Sequence, residues 1–258
     1  MSKTTAIILA AGKGTRLRPY TDEKPKCMVE VQGRSLLDWQ IEVLRKSGIE
    51  DIVVVSGFKS EKIPDDKATK VQNHEYDSTN MVYSLFCAEA YLQNEVIITY
   101  GDILYQSSVV ENVINTRQDI VIPSDEEWKA YWEKREENPL DDAETFKTGE
   151  NNKVLELGQK ASSIEEVQGQ FIGMIKLTGQ GCRIVKEAYQ NCLTNPECKN
   201  NAWDSSRPLE NAYMTDLLNY LAKEKGCVHY QPIQRGWFEI DDKEDLEVAE
   251  KEWRGWAH

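Results

Sequence analysis

Between Ala6 and Val31 the chain reads AIILAAGKGTRLRPYTDEKPKCMVEV: an apolar run, a turn built on Gly12 and Gly14, then Arg16, Arg18, Lys24 and Lys26 in quick succession. A short, unbroken apolar run ended by glycine reads as a strand buried on both faces, the strand type of parallel sheets. Parallel strands need crossover connections, usually helices, so a chain that opens this way is directed to an α/β layout. The glycine turn after the strand can present backbone N–H groups to a phosphate. Spacing excludes two phosphate loops. The segment from Gly12 to Leu17 lacks the third glycine of G-x-G-x-x-G, and the second strand ends VVVSGF without a carboxylate. The loop G-x-x-x-x-G-K-[ST] is absent.

The rest of the chain repeats the alternation. Residues 6–10, 51–55, 96–100 and 119–123 read as strands, with a short further one at 70–72. Residues 34–47 read as a helix whose stripe is Leu36, Leu37, Trp39 (or Gln40), Ile41 and Leu44, closed by Gly48. Residues 80–92, with Met81, Leu85, Ala88 and Leu92 on one side, and 107–116 read as helices too. This predicts α/β structure: a three-layer Rossmann-like domain with a mostly parallel, mixed sheet. No repeat or low-complexity linker is visible, so residues 1–258 are expected to form a single domain, with an elaborated second half from about residue 124. That half carries the acidic, aromatic SDEEWKAYWEKREENPLDDAETF, the strand-like QGQFIGMIKLT, and helices at 182–193 and 211–223. It finishes as GWFEIDDKEDLEVAEKEW, a strand turning into a helix.

Charge narrows the partner. The net charge is −13, and the basic residues gather in the opening loop. A protein that tracks a nucleic-acid backbone needs a basic face, so no nucleic-acid partner is expected. A local cationic pocket on an anionic body suits one small phosphorylated ligand. No apolar run approaches the ~18 residues of a membrane span, and the N-terminus leads straight into a strand, so neither a membrane nor a secretory signal is expected. The six cysteines, Cys27, Cys87, Cys182, Cys192, Cys198 and Cys227, form no CxxC pair and read as free thiols in a reducing cytoplasm. His74, His229 and His258 offer no triad with a nucleophile.

The whole opening stretch has the form G-x-G-T-R-L-x-P-x-T-x-x-x-P-K from Gly12 to Lys26. It resembles the N-terminal signature of the sugar-phosphate nucleotidyltransferase superfamily, with both glycines, Arg16, Pro19, Thr21, Pro25 and Lys26 at the family's spacing. Its plainer alternative is a turn with solvated basic residues. Glycines let N–H groups approach a triphosphate, and Arg16 can offer a planar fork to the β- and γ-phosphates. Lys26 can hold the attacking phosphate and the α-phosphate together, while Lys24 reads equally as a surface lysine.

Further text follows in order: SLLDWQIEVLRKSGIEDIVVVSGF, STNMVYSL, YGDILY, NPLDDAETF, EEVQGQFIGMIKLT, NAYMTDLL and RGWFEIDD. Over nearly the full chain this is similar to the cytidylyltransferase branch that activates phosphocholine and related phosphates or phosphonates. The resemblance implies a GT-A-like nucleotidyltransferase domain whose nucleotide-binding half ends near residue 123. It implies CTP and a small phosphorylated or phosphonate acceptor as partners, and nucleotide contacts from Leu9, Ala10, Ala11, Gly12, Gly14, Thr15, Arg16, Lys26, Thr79, Asn80 and Ser84. Asn80 can both donate and accept, as reading a cytosine edge requires. Capping of the following helix by Ser78 or Thr79 competes for part of this text.

The chemistry implied needs Mg²⁺, hence carboxylates. Asp102 falls just past the end of a buried strand, where open α/β sheets bind ligands. Glu239 and Asp241, two apart on a strand-like segment, face the same way, and with Asp102 they match the family's metal positions. Asp242 is assigned to the helix cap. Lys26, Arg16 and Asp102 are the expected catalytic residues. For the acceptor, Trp128 and Trp132, with Glu144, Tyr213 and Trp237, could cage an ammonium; an amphipathic helix burying its aromatic stripe is the alternative for Trp128, Tyr131 and Trp132. A sugar-1-phosphate nucleotidyltransferase and a non-catalytic nucleotide sensor are the competing functions. The oligomeric state stays open, a homodimer being one option.

Overall fold

The computed structural model describes residues 4–135 and 138–254. Expectations that touch residues 1–3, Glu136, Glu137 or His258 lie outside these. The central sheet contains β1 (Thr4–Ala10), β2 (Asp51–Ser56), β3 (Thr69–Gln72), β4 (Glu95–Tyr100), β5 (Ile120–Asp125), β6 (Gln170–Phe171), β7 (Met174–Leu177) and β8 (Val228–Ile233). β1 lies between β2 and β4, β3 extends the β2 side, and all these pairs are parallel. β7 pairs antiparallel with both β4 and β5, β6 antiparallel with β5, and β8 parallel with β5. The result is the mixed, mostly parallel α/β sheet expected.

Strand residues alternate between two cores, as a period of two demands. Ile7, Leu9, Val53, Val55, Val96 and Ile98 belong to one cluster. Ala6, Ile8, Ala10, Ile52, Val54 and Ile97 belong to the other. The first is covered by α2 (Met81–Cys87), α5 (Gly179–Thr194) and α7 (Met214–Tyr220). The second is covered by α1 (Leu36–Lys46), α3 (Ser107–Ile114) and α4 (Trp128–Arg135). Those are the three layers. A smaller cluster packs Trp39 against Trp253, beside α8 (Lys243–Glu252).

Local chemistry shifts several boundaries. α1 starts at Leu36 because Ser35 caps it, its Oγ accepting from Asp38 N at 3.1 Å. Arg34–Ser35 instead pairs with Glu30–Val31. The helix expected at 211–223 begins at Met214: Tyr213 N donates to Asp216 Oδ2 at 2.8 Å, while Leu209–Asn211 is a separate 3-10 turn. The expectation of six free thiols is corrected. Cys192 and Cys198 form a disulfide between the end of α5 and α6 (Pro196–Asn200), brought together by the turn at Asn195. No helix among the described residues is long and apolar enough to cross a membrane.

Candidate active site

The loop after β1 reverses direction at Gly14, which has φ +59°. A Cβ there would lie 2.9 Å from Lys26 Cβ, so glycine is what lets the loop close against the lysine. Thr21 Oγ1 donates to Gly14 O at 2.8 Å and locks the loop's return. These contacts bring the two ends of the signature together.

At that meeting point, Lys26 lies between two carboxylates. Its Nζ donates to Asp102 Oδ2 at 2.9 Å and to Asp241 Oδ1, while Arg16 donates to Asp241 Oδ2 at 2.7 Å. Burial works against the lysine's charge, but Asp102 and Asp241 outweigh it and hold its pKa above the ordinary value. Arg16 is raised for the same reason: burial opposes, and Asp241, Glu239, Asp142 and Asp102 prevail. Both basic groups are therefore fixed cations.

Asp102 sits in the turn between β4 and Ile103–Tyr105. The amide of Gln40, buried in α1, donates to Tyr100 O at 2.8 Å and Ile103 O at 2.6 Å, clamping that turn from below. Asp241 arrives because Trp237–Glu239 pairs antiparallel with Ile103–Tyr105, and Ile240 N donates to Asp102 O at 2.9 Å. Asp242 caps α8 as expected, accepting from Asp245 N at 3.0 Å.

A cavity of about 290 Å³ opens above this cluster. Leu9, Ala10, Ala11, Gly12, Gly14, Thr15, Arg16 and Lys26 line one side, and Thr79, Asn80 and Ser84 line the other, so every residue expected at the nucleotide faces one space. Asp102 and Asp241 line its floor. Asn73, wholly buried, orders the far wall: its Nδ2 donates to Thr79 Oγ1 at 3.0 Å and Ser84 Oγ at 3.1 Å. The cap of α2 is Asn80 and not Ser78 or Thr79, since Asn80 Oδ1 accepts from Met81 N at 2.8 Å. Its Nδ2 makes no hydrogen bond among the described residues and is available to a ligand.

Sequence reasoning missed Tyr76, Met81, Gly101 and Cys27, which also line the cavity. Burial pushes the Cys27 thiol up to about 12, so it stays protonated and is no nucleophile. Asn73 and Gln40 were missed as well, because a buried amide leaves no periodic signature in the sequence.

Asp102 also passes a test for holding a cation. Its Oδ1 is buried without a hydrogen-bond partner among the described residues, an arrangement that costs free energy unless something neutralises it. Glu239 does not line the cavity, and no group of three His, Cys, Asp or Glu side chains gathers among the described residues. Asp102 and Asp241 are the pair that fits.

The aromatic cage is corrected. Trp128, Tyr131, Trp132 and Trp237 are all buried in one core cluster. Each indole N–H is satisfied internally: Trp128 by Val167 O, Trp132 by Asp142 Oδ2, Trp237 by Asp125 Oδ2. The rings pack edge to face, Trp128 on Trp132 at 6.0 Å and Tyr131 on Trp237 at 5.6 Å. Trp128, Trp132 and Trp237 are no more than 4% exposed, which leaves no open indole face for a ligand. Trp132→Ala is accordingly expected to cost about 3–5 kcal/mol of stability, read as a lowered melting temperature, with acceptor KM unchanged in the protein that remains folded. A raised KM at unchanged melting temperature would restore the cage.

Tyr213 and Glu144 stand outside the cavity lining. Tyr213 is exposed, with the Arg207 guanidinium 4.0 Å above its ring. Arg207 also donates to Asp216 at 3.0 Å. Glu144 is half-buried, and burial, then Asp142 and Asp216, push its carboxyl up to about 7 against the pull of Arg207. The charge of Asp142 reaches Arg16, and those of Glu144 and Asp216 reach Tyr100, beside Gly101.

Comparison with known proteins places this geometry. The MobA-like NTP transferase domain profile matches residues 6–164. The CTP:phosphoglutamine cytidylyltransferase of Campylobacter jejuni is 37% identical over 254 residues, covering 94% of this chain and 98% of that one. The choline-phosphate cytidylyltransferase of Streptococcus pneumoniae is 39% identical over 106 residues, covering 40% of this chain and 46% of that one. Among solved structures, a CTP:phosphocholine cytidylyltransferase from Streptococcus pneumoniae superposes with a TM-score of 0.70 at 22% identity, covering 96% of this chain and 98% of that chain, a likeness of fold.

Proposed function

Because the chain belongs to the MobA-like NTP transferase family and is a nucleotidyltransferase, we propose that it transfers the cytidylyl group of CTP to a small phosphorylated acceptor and releases pyrophosphate. The observation that carries this reading is Lys26 held between Asp102 and Asp241, with Arg16 beside it, on the floor of a cavity walled by Thr79, Asn80 and Ser84. Choice of CTP rests on the full-length similarity to a cytidylyltransferase.

An oxygen of the acceptor's phosphate attacks the α-phosphorus and forms the new P–O bond. The bond from the α-phosphorus to the α,β-bridging oxygen breaks, and that oxygen leaves with pyrophosphate. Lys26 holds the attacking phosphate and the α-phosphate close together, which replaces an encounter in solution by a fixed approach. Arg16 receives the charge that accumulates on the departing phosphates. A phosphomonoester with a second pKa near ~6 is largely dianionic at neutral pH, so a general base has little to do. Asp102 and Asp241 would hold Mg²⁺, which supplies Lewis-acid neutralisation of the phosphate oxygens when bound.

For the acceptor, the carboxylates outside the cavity lining, whose charges reach Arg16 and Tyr100, are the guide. Asp142, Glu144 and Asp216 favour a cationic group at the end remote from the phosphate. Both phosphocholine and a phosphorylated glutamine carry an ammonium, and an aminoalkyl phosphonate would present the same pair of charges.

The test is pyrophosphate release with Mg²⁺ across CTP, UTP, ATP and GTP. Acceptors would be phosphocholine, phosphoglutamine, 2-aminoethylphosphonate and glucose 1-phosphate. CTP with an ammonium-bearing acceptor is expected to lead, because a mispaired buried polar group at the base costs about 1–3 kcal/mol. Equal turnover with UTP, or the fastest turnover with glucose 1-phosphate, would refute the assignment in favour of the sugar reading.

A further inference from the structure

The residue between the two loop glycines has an ionic partner in the segment that precedes Thr79. Lys13 Nζ is ion-paired with Asp77. Lys13 lies between Gly12 and Gly14, and Asp77 follows Tyr76 and stands two before Thr79; these four neighbours line the cavity. The ion pair therefore joins the phosphate-side loop to the segment that leads into the base-side wall, beside residues that line the cavity.

We propose that Lys13 is a further triphosphate-binding residue, held on Asp77 in the free protein and transferred to the nucleotide's terminal phosphates on binding. The proposal rests on the cytidylyltransferase reading for its nucleotide, but the triphosphate contact does not depend on the base.

Three observations favour an exchange over a fixed surface bridge. The side chains of Lys13 and Asp77 are 38% and 70% exposed, against 14% and 12% for Lys26 and Asp241. An ion pair so exposed contributes little to stability and separates readily. Arg16 and Lys26 are already engaged by the carboxylates of the floor, whereas Lys13 is held only by an exposed carboxylate away from it. Finally, a Cβ at Gly12 would meet nothing within 4 Å, so the space beside Lys13 is open for a phosphate and for the swing of a four-carbon stem.

The two halves of the pair then have opposite effects, which a merely structural bridge would not produce. Binding of CTP and of inorganic tripolyphosphate is measured by calorimetry on the full chain. Lys13→Ala is expected to weaken both by about tenfold, the worth of one charge-assisted phosphate contact at a solvated site. Asp77→Asn removes the competing anion and is expected to tighten both by about threefold, with the difference fading at high salt. CMP, which lacks the terminal phosphates, is expected to bind the variants and the wild type alike. If both variants weaken CTP equally, or if neither changes tripolyphosphate binding, the proposal is overturned. A wild-type protein that binds tripolyphosphate through Lys13 but shows no preference for CTP would leave this proposal supported and overturn the cytidylyl assignment.

Discussion

Lys26→Ala is expected to lower turnover by about 10²-fold or more while the protein stays folded, because charge that develops during phosphoryl transfer loses its fixed counter-charge in a partly dry site. The size of the effect follows from position. Lys26 is bonded to Asp102 and Asp241 at once, so no neighbouring cation can slide into its place. Arg16 is the nearest substitute, and it is committed to the outer oxygen of Asp241. Lys26→Arg is expected to recover only a fraction of the rate, since a larger planar guanidinium cannot take the position that a compact ammonium holds between the two carboxylates. Single-turnover rates with saturating CTP, alongside melting curves, separate a catalytic loss from a folding loss. Near-normal turnover in Lys26→Ala would return this lysine to an ordinary ion pair.

Asp102→Asn and Asp241→Asn should each abolish measurable turnover, with excess Mg²⁺ restoring it only in part. Both changes keep the shape of the side chain and remove its charge. At Asp102 the change falls on a carboxylate whose inner oxygen is buried and unpartnered, the place where a divalent cation would be most stabilised. Asp241→Asn has a second expected consequence. It relieves Arg16 and Lys26 of an anionic partner, so metal-free CTP should bind at least as tightly as to the wild type while turnover is lost. A variant that loses nucleotide binding and turnover together would instead make Asp241 a structural brace.

The opening loop was legible in the sequence because its chemistry is local. Glycines, Arg16 and Lys26 occur within one short stretch, and a turn forced by Gly14 brings the stretch's ends together without help from elsewhere. The alternation of apolar strands and helices was legible for the same reason: each element's periodicity belongs to itself. What the sequence could not resolve depends on distant pairing. Spacing puts Trp128 and Trp132 on one helix face, but whether that face meets a ligand or a core depends on Trp237, which arrives from the end of the chain. Gln40 is polar within an apolar stripe, and only the turn it clamps explains it. The disulfide needed the turn at Asn195 to bring Cys198 back to Cys192.

Arg16 and Asp241 are 225 positions apart, and Lys26 and Asp241 are 215 apart. The backbone N–H of Asn80, at the opposite wall, donates to Glu210 O at 2.8 Å. The residues matched by the family profile, 6–164, thus contain the loop but neither of these supports. Such wide separations make the site depend on long-range pairing, in which distant segments must meet before the contact rewards them. A ribosome-bound or proteolytically clipped chain that lacks its last strand and helix would display the phosphate loop without Asp241 opposite Lys26. The pairing of Lys26 with Asp241 thus comes into being only once the last strand is in place.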